Sequence, residues 1–122
     1  MTLRMICVAA VTVLFGATFA TAEATSNGQG AILRALDKIS GTTVDISVPS
    51  GQVARLGRMN IVLNECRYPR GNPSGDAFAA LEVSETGRDG VVFSGWMIAS
   101  APALNPMEHS RYDIWVMRCI TS

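Results

Sequence analysis

Short runs of alternating apolar and polar residues, cut by turn residues every eight to twelve positions, constrain this 122-residue chain more than any other feature. Thr42 to Val48 is the clearest case. Val44, Ile46 and Val48 alternate with Thr43, Asp45 and Ser47, a period that puts one side of a strand in a core and the other in water. Pro49-Ser50-Gly51 ends the run with turn chemistry. Gln52 to Leu56 and Met59 to Cys66 are the next extended pieces, turning at Gly57, with Met59, Ile61 and Leu63 on one side. Ala77 to Val83 and Val91 to Ala99 flank Thr86-Gly87-Arg88-Asp89-Gly90 and make the strongest hairpin in the chain. Tyr112 to Ile120 is apolar nearly throughout, the pattern of a strand covered on both faces. Ala31 to Ser40 reads two ways, because Ile32, Leu33, Leu36 and Ile39 also share one side of a helix. A lone short helix would need its own docking face, so a first, edge strand is expected. The pattern predicts an all-β, small single-domain sandwich or barrel of about six to seven mostly antiparallel strands.

The N-terminus has a different character. Arg4 precedes an apolar run from Ile6 to Ala20, and Ala20-Thr21-Ala22 is the small-x-small pattern at which signal peptidase cuts. The run is short of the ~20 apolar residues a bilayer span requires, and no stop-transfer flank follows it. A cleaved signal peptide over residues 1–22 is expected, with a periplasmic destination and no stable membrane span after cleavage. Cys7 lies too early in the run to carry a lipid anchor, and leaves with the signal. Glu23 to Gly30 is small and polar and reads as a disordered lead-in (23–30) to a single β domain over 31–122.

Past Ala22 the chain carries nine basic and ten acidic side chains, a formal charge of −1, with no basic block. That balance offers no electrostatic footprint for nucleic acid and no cluster to hold an anionic membrane. Eight of the nine cations are Arg, which suits planar carboxylate or phosphate partners, although arginine bias is as readily compositional. Two cysteines remain, Cys66 and Cys119. In a small exported domain such a pair is expected to form a structural disulfide, and a redox pair would show closer spacing. The bond would close a loop of over fifty residues, worth about 4 kcal/mol on the chain-entropy account.

The only histidine lies in Asn105-Pro106-Met107-Glu108-His109-Ser110-Arg111-Tyr112-Asp113. One reading makes His109 a general base, oriented by Glu108 or Asp113, acting on Ser94, Ser100 or Ser110. No nucleophile elbow accompanies it. The plainer reading is a loop whose polar groups satisfy backbone as the chain enters its last strand. One histidine and two paired cysteines leave too few ligands for zinc, and Asp76, Glu82 and Glu85 lack a calcium-loop pattern, so neither metal nor cofactor is expected. Trp96 and Trp115, with Tyr68 and Tyr112, are aromatics with a polar handle. On paired strands Trp96 and Trp115 could be neighbours. Because Trp96 alternates with Val92 and Ile98, a buried core pair is expected; an exposed pair would make a platform for sugar rings or partner side chains. The loop Tyr68-Pro69-Arg70-Gly71-Asn72-Pro73-Ser74-Gly75-Asp76 is either a decorated turn or a recognition edge.

These residues fit a known pattern. Leu36-Asp37-Lys38-Ile39-Ser40, Val48-Pro49-Ser50-Gly51 and Gly57-Arg58 resemble the opening of an exported alphaproteobacterial family, the domain of unknown function 2155 family. Phe93-Ser94-Gly95-Trp96-Met97, Ala99-Ser100-Ala101-Pro102-Ala103-Leu104, Glu108-His109, Tyr112-Asp113, Trp115-Val116 and Cys119 are similar to its C-terminal signature, with Cys66-Arg67 and Ala77-Phe78 filling the middle. Ser110 stands where a proline is expected and Ala101 where a serine is, departures that weigh against a fixed catalytic role for that loop. The resemblance implies one envelope domain and no reaction. The expected function is a non-catalytic periplasmic binding or assembly module with an envelope protein partner. Its surface would combine Tyr68, Arg70, Asn72 and Asp76 with Glu108, His109, Arg111 and Asp113. The rivals are an envelope hydrolase centred on His109 and a glycan- or peptidoglycan-binding domain.

Overall fold

The computed structural model describes residues 9–13, 16 and 24–121. The expected signal peptide over 1–22, with Cys7, lies largely outside the described residues. Eight strands follow: β1 (Thr25–Asn27), β2 (Gly30–Asp37), β3 (Thr43–Pro49), β4 (Val53–Leu56), β5 (Met59–Pro69), β6 (Phe78–Glu85), β7 (Val91–Ile98) and β8 (Tyr112–Ile120). They form two antiparallel sheets, and no helix occurs among the described residues. The larger sheet has the order β1-β5-β6-β7, with β4 also on β5; the smaller has the order β3-β2-β8. The architecture is thus a sandwich.

Alternation accounts for the core between the sheets. Ala31, Leu33 and Ala35 of β2 and Ile114 and Val116 of β8 face Met59, Ile61 and Leu63 of β5 and Ala79, Leu81 and Val83 of β6, all buried. Each fully buried Leu or Ile contributes roughly 1.5–3 kcal/mol relative to exposure.

Two β-bulges decide where the cysteines point. Leu63 pairs Leu81 but Glu65 pairs Ala80, so β5 carries an extra residue at Asn64. Val116 pairs Leu33 but Arg118 pairs Ile32, so β8 carries one at Met117. Each extra residue reverses the in–out parity downstream. Cys66 and Cys119 therefore turn into the core three residues after Leu63 and Val116, and both are buried. They are bonded to each other, with Cα atoms 5.7 Å apart, and join the two sheets covalently.

Several expectations need correction. The stretch read as a disordered lead-in contains β1, which pairs Thr25–Asn27 with Arg67–Pro69 of β5. Gly28 N–H then donates to Cys66 O at 2.7 Å and Gln29 N–H to Ile120 O at 2.8 Å, so the backbone crosses between sheets fully hydrogen bonded. This strand brings the number to eight. Ala31–Ser40 is a strand ending in a turn, as favoured, but β2 is the centre of its sheet and not an edge. The last strand is not covered on both faces: β8 is an edge strand, and Met117 and Arg118 at its bulge are exposed. Trp96 points outward, because Phe93 and Met97 take the buried side of β7 with Gly95 between them. A Cβ at Gly95 would lie 2.8 Å from Asn105 Nδ2, so the following loop presses on the strand there. The two tryptophans are not neighbours, since β7 and β8 belong to different sheets.

Candidate functional site

Antiparallel β6 sets the distance between the two halves of the sequence-derived surface. Asp76 lies just before it and Glu85 at its end, a span of about 25–30 Å at ~3.3 Å per residue. Tyr68, Arg70, Asn72 and Asp76 sit at one end of the sandwich. Glu108, His109, Arg111 and Asp113 sit at the other, beside Glu85 and the β2–β3 turn. They do not form one surface.

At the first end the polar groups serve the loop itself. Asp76 accepts from the Ala77 and Ser100 amides, each at 2.9 Å, and from the Ser100 hydroxyl at 2.5 Å. Burial pushes its carboxyl up, but the hydrogen bonds from Ser100 and the Ala77 amide outweigh it and hold the group below the usual carboxylate range. Tyr68 packs against the core, and the Arg70 amide donates to Ala24 O. Asn72 caps a turn, its amide donating to Pro69 O and its carbonyl accepting from Gly75.

Residues 99–111 lead from that end to the other as a strap between the edges of β7 and β8. Met107 is buried in the core, and Asn105 Nδ2 donates to Trp96 O at 3.1 Å. At the far end the strap is clamped. His109, its side chain only 6% exposed, has Nε2 3.2 Å from Glu85 Oε2. Its Nδ1 accepts from the Arg111 and Tyr112 amides at 3.0 and 3.1 Å. Two N–H donors on Nδ1 assign the ring proton to Nε2, which donates to Glu85. The Lys38 ammonium donates to His109 O at 2.5 Å and lies 3.6 Å from Asp113. Arg111 pairs with Asp37 at 3.0 Å and lies 5.2 Å over the Tyr112 ring. The hydrogen bonds from Arg111, against burial and with help from the Ile39 and Ser40 amides and the Arg111 charge, lower the Asp37 carboxyl to about 2. Glu108 is exposed.

This geometry suits positioning better than proton transfer. The one lone pair on the His109 ring is engaged by backbone amides, and its carboxylate partner is Glu85, not Glu108 or Asp113. Ser100 donates to Asp76 at the opposite end. Ser110, although beside His109, makes no hydrogen bond to its ring among the described residues, the Nδ1 lone pair being taken by the Arg111 and Tyr112 amides. Serine and histidine are therefore not assembled for acyl transfer. Among the described residues no group of three or more His, Cys, Asp or Glu side chains is placed to hold a metal ion.

Two surface features emerge only in the fold, the first of them sharing His109 and Arg111 with the sequence-derived set. One is a cleft of about 290 Å³ lined by Ile39, Gly57, Arg58, Glu85, His109, Ser110, Arg111 and Tyr112. The other is on the outer face of the large sheet, where Trp96 pairs across from Ala80, and Ile98 from Phe78. The sequence carries little signal for either. Glu85 and His109 are brought together only by the fold, and in β6 both alternating sets contain apolar residues, so parity cannot be read from hydrophobicity.

A family model described as an uncharacterized protein conserved in bacteria (DUF2155) matches residues 31–119. An uncharacterized protein of Rickettsia prowazekii (strain Madrid E) is 28% identical over 88 residues, which are 70% of this chain and 57% of that protein. The aligned part thus spans little more than half the length of that relative. No solved structure matches the chain. With its two-sheet core lying almost wholly inside the matched residues, the chain belongs to the DUF2155 family of uncharacterized bacterial proteins.

Proposed function

We propose that this domain is a binding module of the bacterial cell envelope that docks a partner protein on the outer face of its five-stranded sheet. The observation that carries the reading is the uncovered apolar cluster there. Trp96 is 42% exposed. Its cross-strand neighbour Ala80 and the next pair, Phe78 and Ile98, are only half buried and do not pack on the core. A contiguous apolar cluster on an uncovered sheet face is the feature by which small domains recognise other proteins. Its rim narrows the partner's chemistry. Glu82, diagonal to Trp96 across the β6–β7 pair, is exposed and makes no ion pair among the described residues. Glu65, on the far side of Ala80, is already paired with Arg67 at 3.4 Å. The partner is therefore an apolar protein surface carrying a cation opposite Glu82.

An envelope location is supported by Arg4, the apolar run and the Ala20-Thr21-Ala22 site. The Cys66–Cys119 disulfide supports an oxidising compartment. The engaged lone pair of His109 favours binding over the hydrolase reading.

The test is a photo-crosslinking residue placed in the full-length chain at Ser94, on the Trp96 face, and separately at Ser47, on the opposite sheet. The reading expects a protein adduct from Ser94 and none from Ser47, lost in both Trp96→Ser and Glu82→Lys while thermal stability is kept. Equal adducts from both positions, or adducts indifferent to Trp96→Ser, overturn it. Trp96-dependent retention on cell-wall sacculi without a protein adduct replaces it with glycan binding.

A further inference from the structure

We infer that the cleft beside His109 is a second, separate binding site, and that it takes a carboxylate flanked by an aliphatic group. The cleft opens at the end of the sandwich, where the β2–β3 turn, the β4–β5 turn, the end of β6 and the strap meet. Its volume of about 290 Å³ is at the lower limit for small-molecule sites. It suits a single amino-acid-sized group and not a polymer strand.

Charge selects an anion. Glu85 is engaged by His109 and, at 3.7 Å, by Arg88, and Arg111 is engaged by Asp37. Arg58 alone among the charged lining residues makes no ion pair among the described residues. A planar guanidinium without a partner in a cleft whose other charges are matched favours a carboxylate, which it can grip with two parallel hydrogen bonds. Tyr112 and Ser110 also line the cleft, the Tyr112 hydroxyl lying beside Gly57, and neither hydroxyl makes a hydrogen bond to protein among the described residues.

Gly57 makes the approach possible. Its φ of +57° disfavours a side chain, and a Cβ there would lie 2.7 Å from the Tyr112 hydroxyl. The β4–β5 turn therefore closes directly under the Tyr112 ring, with the Arg58 backbone carbonyl accepting from Thr86 N–H at 2.8 Å. The apolar half of the ligand is set by Ile39. This side chain is 76% exposed at the tip of the β2–β3 turn, yet it lines the cleft. An aliphatic group seated on Ile39 removes from water a surface that the fold leaves open.

Two sources share this chemistry: a free acylated amino acid and the C-terminus of a peptide. The probes are N-acetyl-leucine, N-acetyl-leucinamide, a pentapeptide ending in leucine and inorganic phosphate, each titrated into uniformly 15N-labelled protein lacking residues 1–22. The readout is amide shifts of Gly57, Arg58, Ser110 and Tyr112. N-acetyl-leucine is expected to saturate with a millimolar constant, with the leucinamide and phosphate at least tenfold weaker. Arg58→Gln is expected to lose tenfold or more, and Ile39→Ser to weaken N-acetyl-leucine without changing phosphate. Both residues are exposed, so both variants fold. A pentapeptide binding tighter than N-acetyl-leucine assigns the site to chain termini, and equal or weaker binding assigns it to small molecules. Equal response to acid and amide overturns carboxylate recognition, and equal response to N-acetyl-leucine and phosphate overturns the aliphatic half. Absence of any shift overturns the site. None of these outcomes bears on the Trp96 face, whose crosslinking is read on another sheet surface.

Discussion

Breaking the Cys66–Cys119 bond isolates the largest single restraint between the two sheets. The bond joins residues 53 apart in sequence. The chain-entropy relation then gives about 14 cal/mol/K of denatured-state entropy regained on reduction, or about 4 kcal/mol at 25 °C. A domain of this size has ~5–15 kcal/mol in all, so the loss takes a large share of it. With ~2.1 cal/mol/K per residue of unfolding entropy over about a hundred ordered residues, Tm falls by about 20 °C. The assay is urea unfolding of the oxidised protein and of the same protein held reduced. Reduction keeps both sulfur atoms in the core and so separates the cross-link from packing. The reduced form should also show a larger denaturant slope, because its unfolded chain exposes more surface. A loss below about 1 kcal/mol with an unchanged slope would refute the reasoning. It would mean that the unfolded chain already holds these segments together, or that the bond strains the native sheets.

Three further outcomes are expected. Deleting Met117 removes the β8 bulge and turns Cys119 outward, so the purified variant should show two titratable thiols in place of a disulfide; a retained bond would disprove the parity argument. His109→Ala leaves the Arg111 and Tyr112 amides without their acceptor, a cost of about 2 kcal/mol in chemical unfolding. His109→Asn, whose side-chain oxygen can take the place of Nδ1, should lose clearly less. Asp37 has its carboxyl lowered to about 2 by Arg111, against ~3.9 in an unfolded chain. Its contribution is present in full above about pH 4 and fades as pH falls through about 2. The stability gap between the native chain and Asp37→Asn should close over that interval, and a gap constant down to pH 2 would contradict the pairing.

The all-β class was legible because turn residues and alternating runs act locally. Thr43–Pro49 and the β6–β7 hairpin needed nothing beyond neighbouring residues. The cysteine pair was legible from its even number once export was expected. The site was less so. Asp76 and His109 are polar residues on loops, which marked both, yet they stand at opposite ends because the length of β6 separates them. Trp96 was expected in the core because Val92 and Ile98 keep its period. The choice went the other way because Phe93 and Met97 fit between the sheets and Gly95 admits the strap.

By itself the sequence determined strand-forming segments, turn positions, a near-neutral charge and a leader-like N-terminus, all of them short-range properties of composition and period. Tertiary structure alone decided which face of β6 and of β7 is buried, that β2 is central and β8 an edge, and that Glu85 meets His109. The physical reason is that a strand with apolar residues on both sides has two registers of similar local energy. Only packing against the other sheet, with bulges at Asn64 and Met117 to correct the parity, distinguishes them.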